Sequence, residues 1–173
     1  QNPEKVKSRI LSVPTFSADS AYYYIQNQVG FGPRVPDTKG HQDCYNYLVE
    51  SFESFGANVV TQTDLVKRYD GVNMTMKNII ASYNPDKDKR ILLCAHWDTR
   101  FIADNDSVDI YKPIDGANDG GSGVGVLLEI ARQIHQNPIH VGVDIVLFEV
   151  EDQGQPNDYG SFVPDSWCLG SQY

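Results

Sequence analysis

The chain has no uninterrupted apolar run approaching the roughly 18 to 20 residues that a membrane span needs, so no transmembrane segment is expected within it. Cysteine is scarce. Cys44, Cys94 and Cys168 lie far apart and form no C-x-x-C pair, which excludes a cysteine zinc knuckle and allows at most one internal disulfide. Basic residues are in deficit: 14 Lys and Arg stand against 23 Asp and Glu, a net charge of −9, and nucleic acid is not expected as a partner. No signal peptide is visible and Gln1 is not an initiator methionine, which fits an export signal removed before the numbering begins. What is present is a globular composition, 40% hydrophobic and 21% charged over 173 residues, enough for one domain with a substantial core.

Residues 1–16 carry no clear period and read as an extended arm. Ser17 caps a helix running to Val29, with Ala21, Tyr24, Ile25 and Gln28 on one side and Gly30 at its end. A loop rich in proline and glycine follows, and Asp37 or Thr38 opens a second helix from Lys39 to Phe55, closed by Gly56. Cys44, Tyr47, Leu48, Ser51, Phe52 and Phe55 give its inner face, and His41 in its first turn reads as a surface histidine. The period then alternates. Val59–Val66 and Val72–Tyr83 read as antiparallel strands around the hairpin dipeptide Asp70-Gly71, and NPDKDK is a charged turn. Arg90–Ala95 is a short continuous apolar run, which predicts a central strand covered on both faces.

The stretch DGANDGGSGVGVLLEIAR, Asp115 to Arg132, runs from a glycine-crowded loop carrying Asp119 into an apolar helix. Ser122 is placed to cap that helix, and Val124, Leu127, Leu128, Ala131 and Ile134 share a face at the spacing of a buried helix. Glycine permits close approach, so the loop is expected to bend Asp119 inward over the sheet. Val143–Val150 forms the next strand. Strand, helix and strand make a βαβ unit with parallel strands, which brings His96, Asp98, Asp119, Glu151 and Asp152 to the carboxyl edge, where open α/β sheets bind ligands.

His96 and Asp98, two apart in an extended segment, share a side, and a carboxylate often orients a zinc-site histidine. Glu151 and Asp152 are adjacent, so both face one site only if the strand breaks there, as Gly154 and Pro156 indicate. Unpaired carboxylates side by side raise each other's pKa, a difficulty that a divalent cation removes. Imidazole with hard oxygens suits zinc, whereas an oxygen shell alone also admits magnesium or calcium. Trp97 and Trp167 are either pocket walls or packing.

In that order along the chain, AHWDTR (95–100), DGANDGGSGVGVLLEIAR (115–132) and LFEVED (147–152) resemble the zinc aminopeptidase clan: His-x-Asp, then a G-A-N-D loop, then Glu followed by Glu or Asp. FGPRVPDTKGH (31–41) and SWCLGSQY (166–173) narrow the resemblance to bacterial type II glutaminyl cyclases, relatives of the animal glutaminyl-peptide cyclotransferases. The resemblance implies an α/β fold with a mixed, mostly parallel sheet flanked by helices and an antiparallel N-terminal hairpin. It matches Asp119 and Asp152 to zinc ligands and Glu151 to the catalytic acid/base, with His96 and Asp98 beside them. A cyclase holds one zinc and keeps the equivalent of His96 near the site without a second metal; in an aminopeptidase His96 binds a second zinc and Asp119 bridges the pair. The third cyclase ligand is a histidine in a later half of the family's chain, and neither His135 nor His140 is expected to reach the edge. Residues 1–173 are therefore expected to form a single α/β catalytic domain, incomplete at its C-terminus. Ala95 stands where animal cyclases carry a disulfide cysteine, so that bridge is not expected, nor is Cys94 taken to replace it.

The activity implied is zinc-dependent cyclisation of the N-terminal glutamine of peptides or proteins to pyroglutamate, with release of ammonia. The alternatives are a zinc aminopeptidase releasing N-terminal residues and, from another class, a non-catalytic binding domain on the same scaffold. The family is commonly exported, which implies a periplasmic or envelope-associated protein.

Overall fold

The computed structural model describes residues 13–156 and 158–173, so most of the extended arm lies outside the described residues. Helix α1 (Ala18–Gly30) begins at Ser17, whose Oγ accepts from the Ser20 backbone N–H at 3.1 Å. The same residue's N–H donates to Glu129 Oε1 at 2.9 Å, which ties the start of α1 to α3 (Gly121–Gln136). Helix α2 (Lys39–Ser54) is capped by Thr38, whose Oγ1 accepts from His41 N–H. Strands β1 (Asn58–Lys67) and β2 (Asn73–Tyr83) pair antiparallel from Asn58↔Ser82 to Lys67↔Asn73. Gly71 at φ +88 and the bond from Arg68 N–H to Val72 O at 2.8 Å close their turn, as the Asp-Gly pair predicts.

Strand β3 (Arg90–His96) pairs parallel with β4 (Gly142–Phe148), and β4 pairs antiparallel with β2, so the sheet runs β1-β2-β4-β3. The expected mixed sheet is there, its parallel pairing at β3 and β4. Leu48 and Phe52 from α2, Ile79 and Ala81 from β2, Val124, Leu128 and Ala131 from α3, and Ile145 and Leu147 from β4 form one core. Leu127 is buried with them and Ile134 packs against them, so the helical face expected of 124–134 is the one that meets the sheet. No helix among the described residues is long and apolar enough to cross a membrane.

Three expectations need correction. Strand β3 is an edge strand among the described residues, and its Ile91 and Leu92 are 50% and 63% exposed. An apolar run reports a surface that needs a cover, and the described residues supply none on that side. Ser122 does not cap α3: the N-cap is Gly120, and Ser122, already inside the first turn, donates its hydroxyl back to Asn118 O at 2.5 Å. His41 is buried at 1% exposure rather than on the surface. With Cys44, Leu48 and Phe52 it falls on the inner face of α2, where Glu149 receives its Nε2 and Trp97 stacks on its ring at 4.4 Å.

Candidate metal centre

β3 ends at His96, and the chain then passes beneath the site. Trp97 N–H donates to Phe148 O at 3.0 Å and its Nε1–H to Lys77 O at 3.2 Å, which buries the indole as packing rather than a pocket wall. β4 ends at Phe148, two residues short of the expected limit. Val150 then adopts φ +56, a left-handed conformation that a β-branched residue rarely takes, and this turn brings both Glu151 and Asp152 to the edge. Asp98 is fully buried and grips that turn: Oδ1 accepts from Glu151 N–H at 3.2 Å, and Oδ2 accepts from Asp152 N–H at 3.2 Å and Gln153 Nε2 at 3.0 Å.

His96 Nε2 lies 2.7 Å from Asp119 Oδ1, while Nδ1 lies 3.4 Å from Asp98 Oδ1 and 3.9 Å from Glu151 Oε2. All five predicted residues therefore meet at one edge. The tightest group is His96, Glu151 and Asp152, which offer ligand atoms within 4.8 Å of one another; Asp119 stands outside that triplet, its side chain 63% exposed. His135 and His140 are elsewhere, exposed at the end of α3 and before β4, as expected.

The charges are tense. Burial first, then the charges of Asp119, Asp98 and Glu151, push the Asp152 carboxyl up to about 7, with His96 opposing them. For His96 burial works to lower the pKa, but the bond and charge of Asp98, the bond to Asp119 and the charge of Glu151 prevail and raise it to about 9. Asp152 Oδ2 is buried without a hydrogen-bond partner among the described residues. An orphaned carboxylate oxygen in a negative surround, beside an imidazole, fits a divalent cation, and this mixed oxygen and nitrogen donor set fits zinc.

The Asp119 loop is fixed from beneath by Arg34, a fully buried residue to which periodicity gives no clue because it sits in a loop. Its Nε donates to Trp97 O at 3.1 Å, Nη1 to Asp115 O at 2.7 Å and Nη2 to Gly116 O at 2.7 Å. Arg100, also unforeseen, donates Nη1 to Asp152 O and Gly154 O at 3.0 and 3.2 Å, forks onto Asp104, and lies over the Trp167 ring at 4.5 Å. Trp167, 38% exposed, forms one side of a surface pocket of ≈ 360 Å³ with Gln155, Pro156, Gly160 and Phe162. The three cysteines are free thiols.

The loop lies so close to His96 that Gly120 admits no side chain: a Cβ there would stand 2.2 Å from His96 O and 2.7 Å from His96 Nε2. The Asp119–Gly120 peptide is cis. Gly120→Ala in the complete protein is expected to part Asp119 from His96, lowering stability by about 1–3 kcal/mol and zinc affinity by about tenfold or more. Thermal unfolding and a zinc titration check both.

A mixed α/β sheet with an imidazole and four acidic side chains gathered at one edge offers the donor set of a metal-dependent α/β enzyme. Residues 78–173 match the model of peptidase family M28, and the chain belongs to that family. Among solved structures it is similar to the glutaminyl cyclase of Tannerella forsythia, 52% identical with a TM-score of 0.90 over 92% of this chain and 55% of that one. It is also similar to a Zn-dependent exopeptidase from Parabacteroides distasonis, 51% identical with a TM-score of 0.91 over 93% and 56% of the two chains. The glutaminyl cyclase of Bacteroides thetaiotaomicron bound to N-acetylhistamine is 53% identical, with a TM-score of 0.91 over 94% and 56%. The chain thus spans little more than half the length of these structures. Family and neighbours imply an enzyme that uses zinc.

Proposed function

We propose that the complete protein cyclises the N-terminal glutamine of peptides to pyroglutamate and releases ammonia, with Glu151 as acid/base and zinc held by Asp119 and Asp152. The observation that carries this reading is the likeness, at 52% and 53% identity, to two glutaminyl cyclases over more than nine-tenths of the chain. The Glu151 carboxylate stands beside His96 at the sheet edge, part-exposed and open to a substrate amine. It takes a proton from the α-amine as that nitrogen attacks the side-chain amide carbon and closes the ring, then returns the proton to the amide nitrogen, which leaves as ammonia as the ring carbonyl re-forms. When bound, zinc supplies Lewis-acid polarisation of the amide carbonyl and positive charge for its developing oxyanion. Asp98 holds the Glu151–Asp152 turn by its backbone, so neither carboxylate depends on its own rotamer alone for position.

A second reading, an exopeptidase that activates water against the first peptide bond, is favoured by the likeness to a Zn-dependent exopeptidase and by the place of His96 in the ligand triplet. One experiment separates the two. The complete protein, incubated with a glutamine-initiated peptide, is expected to reduce the peptide's mass by one ammonia, and a chelator is expected to abolish the change. Release of free glutamine would assign the exopeptidase reaction instead.

A further inference from the structure

The segment that follows the site carries a thiol onto its acid/base. Cys168 Sγ lies 3.1 Å from Glu151 Oε1, while Glu151 Oε2 is the oxygen nearer His96. The two segments are bound together along their main chains, with Cys168 N–H donating to Glu151 O and Leu169 N–H to Val150 O, each at 3.0 Å. Both Cys168 and Val150 hold φ +56, so two left-handed residues face each other across this pair of bonds. Such conformations persist only where their surroundings over-determine them, and they gather at functional sites. Gly170 completes the contact. A Cβ there would stand 2.0 Å from Glu149 O, and Asn78 joins the segments by donating to Gly170 O and accepting from Glu149 N–H, each at 2.9 Å.

We propose that Cys168 is a positioning residue for Glu151: its S–H donates to Oε1, fixes the carboxylate rotamer and leaves Oε2 as the oxygen that exchanges protons with the substrate. This rests on the acid/base role given above to Glu151. An unperturbed thiol is already protonated at neutral pH, and burial raises its pKa further, so the donor that the bond requires is there. A thiol is a weak donor. It orients the carboxylate while drawing off less of its basicity than a hydroxyl would, which suits a group that must accept a proton and then give it up. Among the described residues Glu151 Oε1 is the acceptor that the structure gives the S–H.

The test uses the complete protein and three variants, C168A, C168V and C168S, with kcat and KM measured on the glutaminyl peptide and on an aminoacyl substrate. C168A and C168V are expected to lose about tenfold or more in kcat on whichever substrate is turned over, with KM within about twofold, because small misplacements of a catalytic group cost rate rather than binding. C168S, which keeps a donor, is expected to recover kcat to within about threefold of the parent. Parental kcat in C168A, or a loss in C168S as deep as in C168A, would overturn the proposal. Absence of turnover on both substrates would defeat the functional reading alone, and the hydrogen bond is then read directly. The infrared S–H stretch of Cys168, isolated by difference against C168S, is expected at a bonded, lowered frequency that rises in Glu151→Ala; an unmoved band overturns the proposal.

Discussion

Glu151→Gln in the complete protein is expected to lower kcat by about 10²- to 10⁴-fold, the range that a positioned acid/base contributes, while the zinc content stays the same. Glutamine matches the shape of glutamate and keeps an oxygen that can accept from Cys168, so the turn held by Asp98 is undisturbed. What it lacks is an oxygen that can take up the amine proton. Steady-state kinetics and elemental analysis of the same preparation check the two halves together. Full activity would remove Glu151 from the chemistry. Loss of zinc would instead make it a ligand, an outcome with some structural standing because Glu151 shares the ligand triplet with His96 and Asp152.

His41→Ala carries the second large effect, on stability. His41 and Glu149 are both essentially fully buried; the His41 Nε2 meets Glu149 Oε1, and Glu149 Oε2 accepts from Lys77 N–H. Removing one partner of a buried pair leaves the other uncompensated, which costs about 3–5 kcal/mol. Burial raises the Glu149 pKa, and the bond and charge of His41 hold it down in part. Without His41 the rise is larger. A carboxyl whose folded pKa lies above its unfolded value stabilises the fold fully below the unfolded value and loses that contribution as pH climbs through the folded value. The deficit of His41→Ala is therefore expected to be smaller in acid than at neutrality. Urea midpoints of parent and variant at about pH 5 and about pH 7.5 measure it. A deficit that does not shrink in acid would mean that the loss is one of packing against Trp97.

These two residues also mark how far the sequence could be read. Glu151 was legible because carboxylates that end an apolar strand, in phase with His-x-Asp ending another, converge wherever the strands are parallel. The hairpin was legible from Asp70-Gly71 and alternation, and α3 from its apolar face. His41 shares the period of Cys44, Leu48 and Phe52. The sequence nevertheless reads as a surface histidine there, because its acceptor stands 108 residues away and a polar residue on an apolar face gives no sign of having a partner until the fold supplies one. Arg34 and Arg100 sit in loops, where burial leaves no period at all. Ser122 has the chemistry of a cap but lies inside the first turn, a difference of two residues that local composition does not resolve.

Arg34 reaches 63, 81 and 82 residues along the chain to hold the end of β3 and the start of the Asp119 loop with one guanidinium. Every residue proposed to hold zinc comes later in sequence than this clamp. One side chain thus ties the loop after α1 to both arms of the centre, and a proteolytic cut in residues 31–38 is expected to loosen the Asp119 loop while leaving each side chain of the centre intact.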